Sequence, residues 1–445
     1  MLSCGHDRTA FGSLLCVHMR TCRERSLDCV KWYTGKGLAT EFLCVPCAET
    51  REKGHSAEVE PVCQECFYYA LEEVSDLERV GGKAEIRVCA FPFNSRLEEF
   101  AIANEFGKII DVAPVNEGNQ PIWLMLAEDG NLFRVNTSGG DWAKVGSATP
   151  LSDKPGGRHA LKRHLHASHG GEFAAVVNDY GRYGQVIDIR SGNVTLELED
   201  GGNNYPDTVP FSFAFAELRG RVVAIHRTRW NRLDISDPSN GKLLTERGPT
   251  SRRGEERPQH SLDYFHGALY PSPGNRRILD DGWVWGASGI PSIWELDRWL
   301  SENPWESEDG PTRRTLCYRD YYWDCGVTWF NDEKVAIAGI GESDIEMING
   351  ARIFDITKIG KARYREHFDS PWEGELIAFP GPAGKFFSDG KWLYSSDETG
   401  LSRWDPQNGA RTGHLDTFHP THHHPGAGQL VQLTDSELVQ WSTTE

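Results

Sequence analysis

Seven times along the chain a strand-like run ends in a hydrophobic–Asp-type step, usually followed by a Gly or Asn turn. The copies are LFRVNTSGG (132–140), VIDIRSGN (186–193), RLDISDPSNGK (232–242), IWELDRW (293–299), IFDITKIGK (353–361), SRWDPQNGA (402–410) and a truncated LVQWSTTE (438–445). Most follow another short apolar run, such as AAVVND (174–179), VVAIHR (222–227), KVAIAG (334–339) or WLYSS (392–396). β-Branched and aromatic residues suit pleated strands, and Gly, Asp and Asn suit the turns between them. The period is roughly 45 to 60 residues, the length of a four-stranded blade with its loops. The Asp before each turn has a structural task, since its carboxylate accepts hydrogen bonds from the turn's N–H groups. These Asp residues are therefore not read as catalytic.

Four stretches carry a family resemblance: SHGGEFAAVVNDYGRYGQVIDIRSGNV (168–194), VVAIHRTRWNRLDISDPSNGKLL (222–244), SPGNRRILDDGWVWGASGIPSIWEL (272–296) and SDGKWLYSSDETGLSRWDPQNG (388–409). The first, third and fourth run from a Gly-containing loop through a strand and short turn to a strand ending in Asp or Trp-Glu. On these residues the chain resembles the WD40-like β-propellers over positions 85–445, with Trp404-Asp405 as its one good Trp-Asp dipeptide. The resemblance implies an all-β, seven-bladed propeller. The last copy ends at the chain terminus, so its blade lacks an outer strand. Closing the ring removes exposed edges, and EIRVCAFP (85–92) is expected to supply the missing strand.

Ahead of the repeats lies a Cys-rich segment. Of 11 Cys, all but Cys317 and Cys325 fall within the first 89 residues. Cys44, Cys47, Cys63 and Cys66 follow C-x2-C-x15-C-x2-C, a spacing that suits one tetrahedral zinc ion. The second pair opens an expected helix, CQECFYYALEEVSDLERV (63–80), and the arrangement resembles a treble-clef zinc module. Cys4, His6, Cys16 and His18 offer a second ligand set, with Cys22 and Cys29 as competitors. C-x-H-x3-C at 16–22 is similar to part of a RING finger, but the middle C-x2-C of that family is missing. A thioredoxin-like pair would need a surrounding βαβ pattern, and disulfides an oxidising compartment. The expectation is one structural zinc, with a second possible. It supplies folding energy and leaves no open coordination position. The organisation is then a small α+β zinc module at 1–80, a linker at 81–84 and the propeller at 85–445.

Composition narrows function. Lys+Arg 47 against Asp+Glu 65 gives a net charge of −18, which disfavours a nucleic-acid partner. The start MLSCGHDRTAFGSLLCVHMR lacks a signal-peptide pattern, and no apolar stretch is long enough to span a bilayer. The expected location is the cytoplasm, with no membrane partner. GPAGK (381–385) lacks the P-loop spacing, and GASGIP (286–291) breaks G-x-S-x-G at its last position. His414, His419, His422, His423 and His424 offer metal or pH chemistry, but are read as a surface loop of the last blade. His159, His164, His166 and His169 are read as blade-turn residues that pack or cap. Most Trp residues are assigned to packing between blades, and the insertion at 295–314 to a binding surface. The conclusion is a non-enzymatic protein–protein interaction scaffold that binds protein partners on the propeller face. The alternative is an enzyme of hydrolase or lyase type with its site at the central channel.

Overall fold

The structure is a computed structural model, and it describes residues 10–16, 29–33, 40–53, 59–63, 85–88, 96–154, 157–201, 205–248, 259–341, 347–360 and 374–443. Each of the seven repeat copies contributes the third strand of an antiparallel sheet, here called blades 1 to 7. Blade 1 meanders through Ile109–Val115, Ile122–Ala127, Asn131–Asn136 and Trp142–Ser147, and blade 2 through Lys162–Ala167, Phe173–Asp179, Tyr183–Asp188 and Asn193–Glu199. Blade 3 comprises Phe213–Leu218, Arg221–Arg229 and Arg232–Ser236. In blade 4, Phe265–Pro271 pairs with Arg277–Val284, and the third strand is split into Ser288–Gly289 and Ser292–Glu295. Pro291 lies in the gap and has no N–H to donate to a ladder. Blade 5 runs Val327–Asn331, Lys334–Ile340, Ile348–Asp355 and Glu375–Pro380, and blade 6 Lys385–Ser388, Leu393–Asp397, Gly400–Trp404 and Arg411–Leu415.

The expected turn chemistry is present. Asp188, Asp237 and Asp405 accept from the backbone N–H of Ser191, Ser239 and Gln407 at 2.9, 2.9 and 2.8 Å. Asn136 does the same for Ser138 at 3.1 Å. Four residues beyond each lies a glycine with φ between 71° and 75°, whose N–H closes the turn on that residue's carbonyl. Left-handed backbone of this kind is cheap for glycine and strained for other residues.

Burial follows position in the blade. The second strand Ile122–Ala127 is buried at every residue, because neighbouring sheets cover both its faces. The fourth strand Trp142–Ser147 is mostly exposed. The core fills the space between blades: Val115, Leu124 and Leu132 of blade 1 pack with Leu165, Val176 and Ile187 of blade 2. Trp294 and Trp299 pack with Ile225 and Leu233 between blades 3 and 4.

By contacts the chain forms two units. Met1–Ser95, Cys325–Lys358 and Gly374–His419 make the first, which holds an N-terminal sheet and blades 5 and 6. Arg96–Asp324, Ile359–Glu373 and Pro420–Glu445 make the second, which holds blades 1 to 4 and 7. In the second unit the first strands of blades 7, 1, 2, 3 and 4 lie side by side in that order. The described fold is all-β, with seven propeller-type blades and few helices.

Two expectations about the N-terminus are corrected. Blade 7 consists of His422–His424, Gln429–Leu433 and Glu437–Ser442, and its outer strand is Glu98–Ala101, not 85–92. The outermost strand faces solvent, and EEFA suits that place: only Phe100 is partly buried. The residues Glu85–Val88 pair instead in parallel with Cys29–Tyr33. They complete a five-stranded mixed sheet ordered Val59–Cys63, Ala10–Cys16, Thr40–Cys44, Cys29–Tyr33 and Glu85–Val88. Strand 85–88 therefore belongs to the N-terminal sheet, not to the propeller. That sheet lies against Glu375–Pro380, the outer strand of blade 5.

Candidate functional site

In each blade the turn after the second strand and the connection to the next blade emerge at the same end of the sheet. In the second unit, loops at 148–161, 180–182, 200–212, 285–287 and 316–324 converge at that end. Asp153 ties two of them together. One of its oxygens accepts from Arg182 N–H at 2.8 Å, and the other from Asn178 Nδ2 at 2.9 Å and Tyr183 N–H at 3.2 Å. Asp207 accepts from Arg158 N–H at 2.7 Å, and Trp323 Nε1 donates to Thr208 O at 3.0 Å. The Tyr180 hydroxyl donates to Asp324. Burial raises the Tyr180 phenol's pKa, and the Asp324 carboxylate reinforces the shift. Asp324 is itself shifted upward, first by burial and then by Asp179, against the opposing bond from Tyr180.

Three of these segments line a cleft of about 800 Å³, through Asp153, Lys154, Arg158, Tyr180, Arg182 and Tyr205. Arg182 lies over the Tyr183 ring, and His159 stacks on Tyr180 with centroids 4.6 Å apart. Beside the cleft stands an aromatic group. Phe265 and Trp283 stack at 4.1 Å, Trp323 stacks on Trp283 at 5.2 Å, and Trp230 lies on Phe265 at 4.5 Å. Tyr205 and Trp285 project beyond them and are 45% and 50% exposed. Seven non-glycine residues have positive φ among the described residues, and five lie in these loops: Tyr180, Tyr205, Ala287, Tyr321 and Asp324. Left-handed backbone in bulky side chains is costly and concentrates at functional sites.

The histidines form a separate arrangement along the first strands. The expected surface loop at 414–424 is corrected: His422–His424 is the first strand of blade 7. His422 Nε2 meets Asp111 Oδ1 at 2.8 Å, and Asp111 Oδ2 accepts from Leu165 N–H at 2.7 Å, linking blades 7, 1 and 2. Burial alone would raise the Asp111 pKa, but the bonds and charges of His422 and His164 overcome it and hold the carboxyl low. His424 is fully buried. Its Nε2 donates to Ile122 O at 3.1 Å and its Nδ1 accepts from Ala427 N–H at 3.1 Å, which requires the neutral ring. His164 pairs with Asp179 at 2.9 Å, and Asp179 accepts from Phe211 N–H at 3.1 Å. His166 sits 4.3 Å from the His164 ring. Burial first, then His164, lowers its pKa to about 3. A gathering of His and carboxylates is what an enzyme at this place would need, but here the carboxylates are spent on neighbouring blades.

The insertion at 295–314 is also corrected. Its helices Leu296–Ser301 and Glu306–Asp309 pack inward, with Trp299, Glu306 and Ser307 fully buried. The Arg247 side chain is 1% exposed and bridges Asp234 at 2.7 Å and Glu308 at 2.5 Å while lying over Trp305.

Among the zinc candidates, Cys44 ends the strand Thr40–Cys44, and Cys47 lies in the first turn of the helix Val45–Glu52. Both are buried. Pro46 is tolerated in that turn, where its missing N–H would have no partner. The antiparallel register places Cys29 opposite Cys44. Cys63 ends the strand Val59–Cys63 and pairs with Ala10, and the helix expected after it, at 64–80, lies outside the described residues. Leu15, at the other end of Ala10–Cys16, runs beside Phe42, so Cys63 and Cys44 are separated by nearly the whole strand, roughly 20 Å. Cys16 pairs with Val59. Cys4, His6, His18, Cys22 and Cys66 lie outside the described residues. No group of three or more His, Cys, Asp or Glu among the described residues has a metal-holding arrangement. No helix among them is long and apolar enough to cross a membrane.

No family model matches the chain, and no curated protein matches it. Among solved structures it is similar to a chain of the "Crystal Structure of Mitotic Checkpoint Complex", at 12% identity and a TM-score of 0.47, covering 81% of this chain and 99% of that one.

Proposed function

We propose that the chain is a non-enzymatic protein–protein interaction scaffold whose binding platform is the loop face of blades 2 to 4. The carrying observation is the concentration of left-handed, non-glycine backbone at exposed aromatics and a charged cleft on one face. A rigid sheet stack presenting irregular loops is suited to recognition. The reading is tested by recovering partners with the full chain and with a Lys154→Glu, Arg158→Glu variant, whose changes fall on exposed cleft residues. Loss of partners with unchanged melting supports it. An unchanged partner set refutes the assignment of this face.

The N-terminal sheet is proposed to hold a structural zinc, with Cys44 and Cys47 as half of its ligands. Buried cysteines at a strand end and in a first helical turn suit such a site. Elemental analysis should find zinc in the intact chain, and Cys44→Ser with Cys47→Ser should remove it while the blades keep their cooperative unfolding. Retention of full zinc by that variant excludes this pair.

A further inference from the structure

The loop-face cleft is electrically at odds with the chain around it. Three cations, Lys154, Arg158 and Arg182, and two carboxylates, Asp153 and Asp207, line it, whereas the whole chain carries a net charge of −18. Both carboxylates are already committed to donors of the surrounding loops. Asp153 accepts from Asn178 Nδ2 and from the N–H groups of Arg182 and Tyr183, and Asp207 from Arg158 N–H. Arg182 is anchored by Nε and Nη2, which donate to Asp200 O at 3.2 and 2.9 Å, and its Nη2 meets Glu199 at 3.4 Å. Lys154 and Arg158 differ. Both are exposed, and neither side chain has a hydrogen bond or ion pair among the described residues. Unpaired cations in a concave setting draw negative charge more strongly than they would on a flat surface.

Exposed aromatic side chains adjoin the cleft at Tyr205. This residue lines the cleft and meets the Trp285 ring edge-to-face, with centroids 5.4 Å apart. Tyr321 belongs to the same surface, since its N–H donates to Ala287 O at 2.6 Å, beside Trp285. Among the described residues six large hydrophobic side chains are exposed, and Tyr205, Trp285 and Tyr321 are three of them. Exposed Tyr and Trp that cluster, instead of scattering singly, mark interaction surfaces.

The chemistry of the cleft favours carboxylates over a phosphate. Backbone N–H groups gathered in a nest are a common way to hold a phosphate, but those of Arg158, Arg182 and Tyr183 are taken by Asp207 and Asp153. What remains free is a pair of separate side-chain charges, four positions apart on one loop, which suits a run of acidic residues. The net charge of −18 repels an acidic molecule as a whole, so the acidic run must be a local feature of its protein.

We propose that the cleft docks an extended acidic segment of a partner protein, with its carboxylates against Lys154 and Arg158 and a neighbouring apolar side chain against Tyr205 and Trp285. The inference rests on the scaffold reading and adds the chemistry that its loop face selects.

The full-length chain is titrated with four fluorescein-labelled peptides, followed by anisotropy: a run of Asp and Glu ending in Phe, the same run ending in Ala, a run of Lys ending in Phe, and a neutral run with one phosphoserine ending in Phe. The acidic Phe peptide should bind at least about tenfold more tightly than the Lys peptide. The acidic Ala peptide should bind about fivefold more weakly than its Phe counterpart. Lys154→Glu with Arg158→Glu should reverse the preference between the acidic and Lys peptides, with unchanged melting. Trp285→Ala should weaken the acidic Phe peptide to the level of the Ala peptide and leave the Ala peptide unaffected. Equal binding of the acidic and Lys peptides, indifference to the charge reversal, or a preference for the phosphoserine peptide overturns the inference. If partners still depend on Lys154 and Arg158 in that event, the acidic segment falls and the scaffold reading stands.

Discussion

At the residue scale the molecule spends its charged side chains on internal structure. The Arg247 side chain is buried between Asp234 and Glu308, so removing it takes this counter-ion from Glu308 and leaves Asp234 to Arg232. Arg247→Ala should cost about 3–5 kcal/mol in denaturant unfolding. Gly409 has φ +73°, and an added Cβ would stand 2.5 Å from the Phe379 Cβ, so Gly409→Ala should destabilise by about 1–3 kcal/mol. His166 sets an acid limit. Its folded pKa of about 3 lies below the ordinary value of 6.5, so the unfolded chain takes up the proton first as pH falls. Stability should therefore decline between about pH 6.5 and 3, with a slope from this group of no more than about 1.4 kcal/mol per pH unit. His164 has the opposite sign: burial opposes its charge, but Asp179 raises its pKa, so its contribution is lost as pH rises through that raised value. Asp111 and Asp179 face this pair and add to acid sensitivity, so the decisive measurement compares His166→Leu with the parent chain. The variant should show a flatter decline in melting temperature on acidification.

At the scale of elements, strand type and turn position were written locally, and the chain could be read there. All seven repeat copies became third strands, because alternation, β-branching and an Asp-capped turn are properties of a few consecutive residues. Elements whose partners are remote were misread. His422–His424 has no apolar alternation and is flanked by prolines, yet it is a strand because Asp111, 311 residues away, receives His422. The closing strand was misassigned for a related reason: EIRV has more strand character than EEFA, but the vacancy was an exposed edge where polar residues belong. A crosslink tests the register. Glu99 and Val439 are directly opposite, within the range a disulfide spans, so Glu99→Cys with Val439→Cys should oxidise to a bond and raise the melting temperature. The aromatic cluster at the loop face was hidden similarly, since the contacts of Trp283 and Trp285 with Tyr205 arise only when the loops of different blades meet.

At the scale of the whole molecule, the charge of −18 shapes how partners arrive. Association with a basic partner should slow as salt is raised, because screening removes long-range steering while the aromatic contacts persist. Stopped-flow association rates at low and high salt check this, and a rate independent of salt would remove electrostatic steering from the account. The Glu98–Ala101 strand has a further consequence for biogenesis. Its ladder partner Glu437–Ser442 lies far along the chain, so the strand is translated long before it can pair. Until that partner has been translated this edge stays unmated, and blade 7 cannot be completed. A premature stop would therefore leave an open edge for chaperones to detect, however well the earlier blades had folded.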